Sequence, residues 1–320
     1  MASGDDAAQQ QHRVPGLISK VDLRGVEPGG PGWEEARAAV TASMEALSFV
    51  LVVHDALSPD LRQALFDRAM PEFFSLPPEV KQGLVSGPIN GYIGPRPKAP
   101  AYESMRIWET TNGGRIRNVG DVLWPSHGNP SFCDTVATFA KNMVGLQQDV
   151  GMMILEGLNV RKEHIDSHLK SLNYSVRLSH YGLSDKGDCM FMDPHTDSTH
   201  DVEGLEVQAE DGSWIAVPPE PDTFAVVAGD LLEVLTNGRV HASLHRVRAP
   251  SSRKRLSAQV VSMPCDGLTV CPLDELVDDD HQPLYSPCNF DGYIQFRFAG
   301  DGLKLSDPLK GFCGIIKDEQ

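Results

Sequence analysis

Between Tyr174 and Pro264 the chain consists of short extended segments separated by turn residues, and this pattern restricts the fold more than any other feature. The segments read SVRLSHY, GLEVQAEDGSWIAV, TFAVVAGDLLEVLT and RLSAQVVSMP, with Gly, Pro, Asn and Asp between them. Short strands with closely spaced turns are typical of an antiparallel β-sandwich or barrel. We therefore expect the second half of the chain to be a β-structure of one of these two kinds.

The first half is expected to be mixed and mostly helical. GLISKVDLRG predicts a short strand, and GWEEARAAVTASMEALSFVLVVHDAL predicts a helix leading into an apolar strand. Ser58 and the proline after it predict a capped helix, and SFCDTVATFAKNMVGLQQDVGMMILEGLN predicts a longer helix that stops at Gly157 and Asn159. The Gly- and Pro-rich segment NGYIGPRPKAPAYESMRIWETTNGGR is expected to be a loop, which either lines a site or only links its neighbours. A last helix is expected at NFDGYIQFRFAG.

Composition narrows the possible partners. The chain has 320 residues, 41% hydrophobic and 22% charged, so one large domain or two closely packed ones are expected. A formal net charge of −16 opposes binding to nucleic acid or to an anionic membrane, which leaves a small molecule as the expected partner. The amino terminus has no apolar signal region, no run is long enough to span a bilayer, and the six cysteines form no Cys-x-x-Cys pair. We expect reduced thiols and a cytoplasmic location.

A metal site is indicated by the stretch DPHTDSTHDVEGLEV, residues 193–207. His195 and Asp197 are two residues apart, so in an extended strand both point to one face and can share a cation. The pair alone is weak evidence, because His-x-Asp recurs in RKEHIDSHLKS, which we expect to be a solvated helix face. A remote histidine, His241 or His245, completes two histidines and one carboxylate, the facial set that suits non-haem Fe(II). A closed zinc site is the alternative.

A possible carboxylate clamp follows at Arg255 and Ser257, which are again two apart and can present a guanidinium fork and a hydroxyl on one strand face. Together with these residues, several motifs resemble the plant 2-oxoglutarate- and Fe(II)-dependent dioxygenases along most of the chain. FFSLPPEVKQ, Phe73–Gln82, is similar to an amino-terminal motif of the family. The His-Thr-Asp at residues 195–197, the segment NGRVHASLHRV and the Arg-x-Ser also match.

The resemblance implies a role for each matched residue. It places the Fe(II) ligands at His195, Asp197 and His245, rather than His241. It implies that Arg255 and Ser257 bind the 5-carboxylate of 2-oxoglutarate and that Tyr181 belongs to the same co-substrate site, where Ser179 replaces the asparagine usual in the family. Val261 and Phe290 are expected to contribute to the substrate wall.

The resemblance also implies the architecture, an α+β fold with a double-stranded β-helix (jelly-roll) core and flanking α-helices. Residues 1–13 are then expected to be disordered, and residues 14–125 to form an amino-terminal domain with helices and core strands. Long supporting helices are expected in 126–172. The jelly-roll core is expected in 173–265, and a carboxy-terminal helix with a tail in 266–320.

Two segments, GYIGPRPKAPAYES and NGRVHASLHRV, are similar to the branch that contains the auxin-oxidising dioxygenases and the glucosinolate alkenyl-forming enzymes. This implies a plant oxidoreductase that uses Fe(II), 2-oxoglutarate and O₂, with ascorbate as a supporting reductant. Indole-3-acetic acid, converted to 2-oxindole-3-acetic acid, is the implied substrate. A gibberellin or a specialised metabolite is the alternative within the same chemistry.

One segment departs from the family pattern. Only STHDVE stands between Asp197 and Gly204, whereas the family has a further strand there, so about 5–7 residues are missing by the usual length of a strand. Loss of a core strand beside the metal would leave an open sheet edge and impair the site. Either neighbouring loops rebuild the site, or the chain is a non-catalytic family member.

Overall fold

The computed structural model describes residues 18–84, 91–97, 99–183, 189–190, 198–199, 205–209, 211–249 and 253–315; at 189–190, 198–199 and 248–249 it describes the backbone alone. The expected disordered segment, 1–13, lies outside the described residues. In the part of the chain that is described, no helix is long and apolar enough to cross a membrane.

Strands and helices follow one another in the order expected of a mixed front half and a β-rich second half. The strands are β1 (Lys20–Asp22), β2 (Phe49–Val53), β3 (Gly91–Ile93), β4 (Tyr102–Ile107), β5 (Leu172–Tyr181), β6 (Cys189–Met190), β7 (Ser198–Thr199), β8 (Leu205–Gln208), β9 (Trp214–Ala216), β10 (Thr223–Val227), β11 (His245–Ala249), β12 (Arg255–Pro264), β13 (Thr269–Val270) and β14 (Cys288–Asn289). The α-helices are α1 (Trp33–Leu47), α2 (Pro59–Gln63), α3 (Met70–Phe74), α4 (Pro78–Gln82), α5 (Gly113–Leu123), α6 (Pro130–Gly157), α7 (Lys162–Lys170), α8 (Asp230–Leu235), α9 (Phe290–Ala299) and α10 (Pro308–Cys313). A π-helical stretch, Ala64–Ala69, joins α2 to α3, and two 3₁₀ turns lie at Asp274–Leu276 and Asp301–Lys304.

The larger sheet of the core has the strand order β3-β4-β5-β12-β7, with all neighbours antiparallel. Strand β7 lies against β10, which belongs to the three-stranded sheet β1-β2-β10. A second sheet has the order β6-β11-β8-β9. The short hairpin β13-β14 lies after the core.

Both faces of the three-stranded sheet β1-β2-β10 are covered, as the alternation along β2 shows. Val50 and Val52 pack with the helices, in one large core that includes α1 and α6. Phe49 and Leu51 point the other way and pack with strands of the second sheet. Because successive side chains of a strand point to opposite faces, a strand covered on both sides is apolar throughout. Two facing antiparallel sheets with helices on the outer face form the expected α+β jelly roll.

Several local predictions are confirmed. Ser58 Oγ accepts a hydrogen bond of 3.3 Å from the Leu61 N–H at the start of α2. Helix α6 ends at Gly157, and Asn159 just after it has φ of 62°. Gly157 is also required by packing, because a Cβ there would lie 2.0 Å from Thr41 Oγ1 of α1. The helix expected at NFDGYIQFRFAG is α9.

The prediction of a loop over NGYIGPRPKAPAYESMRIWETTNGGR is wrong. This segment contains β3, β4 and the start of α5. The glycines and prolines are concentrated between β3 and β4, whereas YESMRI itself alternates as a strand does, with Tyr, Ser and Arg on one face and Glu, Met and Ile on the other. A strand with one polar face is hard to recognise when that face is also buried.

Candidate active site

Three neighbouring strands place rows of polar side chains on the inner face of the larger sheet. In an antiparallel sheet, residues that pair directly lie on the same face. The pairing of β4, β5 and β12 gives three rows, Tyr102 with Tyr181 and Arg255, Ser104 with Ser179 and Ser257, and Arg106 with Arg177 and Gln259. Buried polar rows are costly unless their groups find partners, so they mark a candidate binding site.

Among these side chains, Arg255 has the strongest need for a binding partner. It is fully buried, and its Nε, Nη1 and Nη2 atoms have no hydrogen-bond partner among the described residues. The guanidinium lies over the ring of Tyr181, 4.8 Å from the centroid, and the buried Oγ of Ser257 likewise has no partner among the described residues. A buried cation and a hydroxyl on one strand face fit an anionic ligand with two oxygen atoms, such as a carboxylate. The residues therefore fit the 5-carboxylate of 2-oxoglutarate.

Aromatic and hydroxyl groups next to Arg255 contact one another in a buried network. The rings of Tyr102 and Tyr181 are 5.1 Å apart, and Tyr102 Oη lies 3.3 Å from Ser179 Oγ. Arg177 donates a hydrogen bond of 2.7 Å to Tyr102 Oη. Ser179, which stands where the family usually has asparagine, is buried in this network. The shorter side chain is thus accommodated by contact with a tyrosine from β4.

His245 opens β11 in the opposite sheet and is buried, with 4% of its surface exposed. Val247, two residues later on the same face, packs with Tyr102 and Tyr181, so His245 faces the interior that Arg255 also faces. Its Nδ1 lies 3.2 Å from the carbonyl oxygen of Ser243. Because a carbonyl oxygen can only accept, Nδ1 is the donor in this contact, which makes Nε2 the ring nitrogen that would bind a metal.

The other candidate ligands are placed differently. The side chain of His241 is 66% exposed and its Nδ1 lies 3.6 Å from the Glu233 carboxylate, which is the position of a surface histidine. The predicted ligands His195 and Asp197 lie outside the described residues. The two residues that follow them in sequence, Ser198 and Thr199, pair as β7 with β12. Within the described residues alone, no group of three His, Cys, Asp or Glu side chains could hold a metal.

The two expected substrate-wall residues are not adjacent. Phe290, 4% exposed at the start of α9, lines a cavity of about 740 Å³ between α5, the end of β4 and α9. Val261 is partly buried on β12 opposite Ser175, and it is not among the described residues that line this cavity. The structure thus brings Phe290, but not Val261, to the cavity.

Sequence reasoning missed Arg106 and Arg177, although the period-two alternation in YESMRI and SVRLSHY could have shown them.

The sequence analysis also left the lysine of FFSLPPEVKQ unexplained. Lys81 Nζ and Tyr92 Oη each lie 2.7 Å from Glu103 Oε2, and His180 Nδ1 lies 3.3 Å from Oε1, on the helix-facing side of β4 and β5. Burial raises the pKa of Glu103, but hydrogen bonds from His180, Lys81 and Tyr92 outweigh it and lower the pKa to about 2. The motif lysine therefore joins α4 to the site-bearing sheet.

Residues 171–264 match the family model of the 2OG-Fe(II) oxygenase superfamily. Among curated relatives, "Probable 2-oxoglutarate-dependent dioxygenase AOP1.2" of Arabidopsis thaliana is 32% identical over 304 residues, covering 91% of this chain and 93% of the relative. AOP1 of the same plant is also 32% identical, over 305 residues with the same coverage.

Solved structures agree with the fold. The dioxygenase for auxin oxidation of rice superposes with a TM-score of 0.77 at 25% identity, covering 92% of this chain and 99% of that chain. JOX2, solved with 2-oxoglutarate, Fe and JA, has a TM-score of 0.75 at 22% identity, covering 92% of this chain and 89% of that chain. The chain therefore belongs to the 2-oxoglutarate- and Fe(II)-dependent dioxygenases, oxidoreductases that take Fe(II) as cofactor and 2-oxoglutarate as co-substrate.

Proposed function

We propose that this enzyme oxidises a small plant metabolite in the cytoplasm and that indole-3-acetic acid, converted to 2-oxindole-3-acetic acid, is its first candidate substrate. The auxin-oxidising enzyme of rice supports the choice, since it matches 92% of this chain at 25% identity. The AOP relatives are more similar in sequence, and their names specify no substrate. A gibberellin or a specialised metabolite therefore stands as the second candidate.

The observation that carries the proposal is the buried guanidinium of Arg255, which has no hydrogen-bond partner among the described residues. We assign Arg255 and Ser257 to the far carboxylate of 2-oxoglutarate, with Tyr181 stacked beneath the arginine. A planar guanidinium on an aromatic face can donate two parallel hydrogen bonds to one carboxylate, and it holds the co-substrate in a single orientation. This charge pairing removes the cost of burying the arginine alone.

His195, Asp197 and His245 are the residues proposed to hold Fe(II), with the Ser243 carbonyl orienting the ring of His245. Bound Fe(II) supplies the activation of O₂, in which one oxygen atom enters the substrate and the other enters succinate as 2-oxoglutarate loses CO₂. The chain itself orients both substrates and excludes water. We assign Phe290, which lines the cavity, to the wall that contacts the primary substrate, and we propose that Val261 contributes to that wall from β12, outside the cavity.

The test is an assay of the full chain, purified anaerobically and supplied with Fe(II), ascorbate and 2-oxoglutarate. Loss of indole-3-acetic acid and formation of succinate are measured together by mass spectrometry. Equal molar amounts support the proposal. Succinate formed only with a gibberellin or another metabolite moves the assignment to the second candidate, and no succinate with any of them identifies a non-catalytic family member.

A further inference from the structure

The second buried arginine row of the inner face points to the chemistry of the primary substrate. Arg106 on β4 and Arg177 on β5 pair directly in register. Like charges directly opposite each other in a sheet are destabilising. Arg177 is 5% exposed and donates to the hydroxyls of Tyr102 and Ser104, which carry no negative charge. Arg106 thus lies beside a second cation on the inner face, and two neighbouring cations suit a site that binds an anion.

Arg106 itself has neither a hydrogen-bond nor an ion-pair partner in the described part of the chain, and it is mostly buried. Burial and the Arg177 cation lower the pKa of Arg106 to about 9, and Tyr102 opposes them. The side chain therefore still carries its charge at neutral pH. A charged guanidinium in this position gains most from a ligand that brings the missing negative charge.

The cavity beside Arg106 has room for such a ligand. Its volume of about 740 Å³ lies within the usual range for small-molecule pockets. Besides Arg106, it is lined by Trp108, Val119, Phe290 and Ile294. Aromatic and branched side chains of this kind suit a flat apolar body with a single polar group.

The acidic residues of the same cavity do not compete for Arg106. Glu109 is 2.7 Å from Arg115 in an ion pair. Asp291 is exposed and accepts a hydrogen bond of 3.1 Å from the Gly267 N–H, and Asp266 is exposed. The cavity thus has an apolar wall and a cation on one side. The acidic residues at its edge are either paired with another residue or exposed to solvent.

The cation is also far enough from the co-substrate clamp to serve a second ligand. Gln259, in the row of Arg106, is four residues from Arg255 along β12, about 13 Å at the usual rise of a strand. We propose that Arg106, supported by Arg177, binds the anionic head group of the primary substrate and that this cavity holds the apolar body. This specificity-determining role rests on the proposed function, and the head group is a carboxylate or a sulfate.

The test compares three probes with the same ring system: indole-3-acetate, neutral indole-3-acetamide and indoxyl sulfate. Dissociation constants are measured by calorimetry on the protein loaded with Fe(II) and 2-oxoglutarate without O₂, so that no turnover is needed. The wild type should bind at least one anion ten-fold or more tightly than the amide, and the two anionic arms separate a carboxylate site from a sulfate site. Failure of all three probes to bind, or equal affinity for anions and amide, would overturn the inference.

Variants then locate the effect. Arg106→Met should remove the preference for the anion while leaving the affinity for the amide within about three-fold, and Arg106→Lys should keep part of it because the charge remains. The control is Arg161→Met, which removes an exposed arginine that precedes α7 and does not line the cavity. This variant should keep the full preference for the anion. A full preference in Arg106→Met contradicts the role. Should that variant not fold, Arg106→Lys decides, and unchanged anion affinity in it contradicts the role.

The outcome is separable from that of the proposed function. An anion preference that depends on Arg106, without oxidation of indole-3-acetic acid, supports the cavity and sends the search to another anion. If indole-3-acetic acid is oxidised but the preference for anions survives in Arg106→Met, the proposed function is supported and the role of Arg106 in binding the head group is refuted.

Discussion

Replacing Lys81 by Met should destabilise the protein by about 3 kcal/mol, because it breaks a buried ion pair from one side. The side chains of Lys81 and Glu103 are 4% and 14% exposed, and their charged atoms are 2.7 Å apart. Removing one member of such a pair costs about 3–5 kcal/mol, since the other charge is left buried. The lower end is expected here, because Tyr92 and His180 still hydrogen-bond the carboxylate.

The assay is urea unfolding at pH 7, followed by circular dichroism, together with the melting temperature. A loss of about 3 kcal/mol corresponds to a decrease in Tm of about 6 °C for a chain of this size. Lys304→Met, which breaks an exposed pair with Asp301, is the matched control and should change stability little.

A double-mutant cycle separates the ion pair from simple packing. Adding Glu103→Gln to Lys81→Met should restore part of the lost stability, because the uncompensated charge is then gone. The reasoning is refuted if Lys81→Met loses less than about 1 kcal/mol, or if the effects of the two substitutions simply add.

Four further outcomes are expected. The pKa of Glu103 is lowered from 4.5 to about 2, so its contribution to stability is present above pH 4.5 and is lost as pH falls from 4.5 toward 2. In urea unfolding across that pH range, Glu103→Gln should lack this decrease in stability. Burial lowers the pKa of His168 to about 4 from 6.5, so stability falls between pH 6.5 and 4, and His168→Gln should flatten the curve there. Anaerobic Fe(II) titration should show binding lost in His245→Ala and kept in His241→Ala, whereas the reverse order would move the ligand. Arg255→Lys should raise the KM for 2-oxoglutarate about ten-fold or more, since an ammonium cannot replace two parallel hydrogen bonds, and an unchanged KM would remove this residue from the site.

The case of His168 also shows a limit of local pattern. The stretch RKEHIDSHLKS is expected to be a solvated helix face, and α7 is indeed helical and rich in charge. Yet His168 is only partly exposed and its pKa is lowered by burial. Burial of a residue on a polar helix depends on which element packs over it, and that information is not carried by the helix itself.

The sequence by itself determined most of the order of elements, although not β3 and β4, and which polar residues share a strand face. Helix caps, apolar periodicity and turn residues act over a few neighbours, which is why α2, α6, α9 and the strands after Tyr174 were predictable. The Arg-x-Ser spacing likewise determined that Arg255 and Ser257 share a face, because the alternation of a strand requires it.

Only the tertiary structure decided which faces meet. The pairing of β4 with β5 and of β5 with β12 brings Arg106 beside Arg177 and Tyr181 beside Arg255, although 71 and 74 positions separate the members of these pairs in the chain. The choice of His245 over His241 as the buried histidine depends in the same way on β11 facing the larger sheet. Register and sheet packing arise from contacts between distant segments, and the free energy of burying a polar group depends on what those segments place around it.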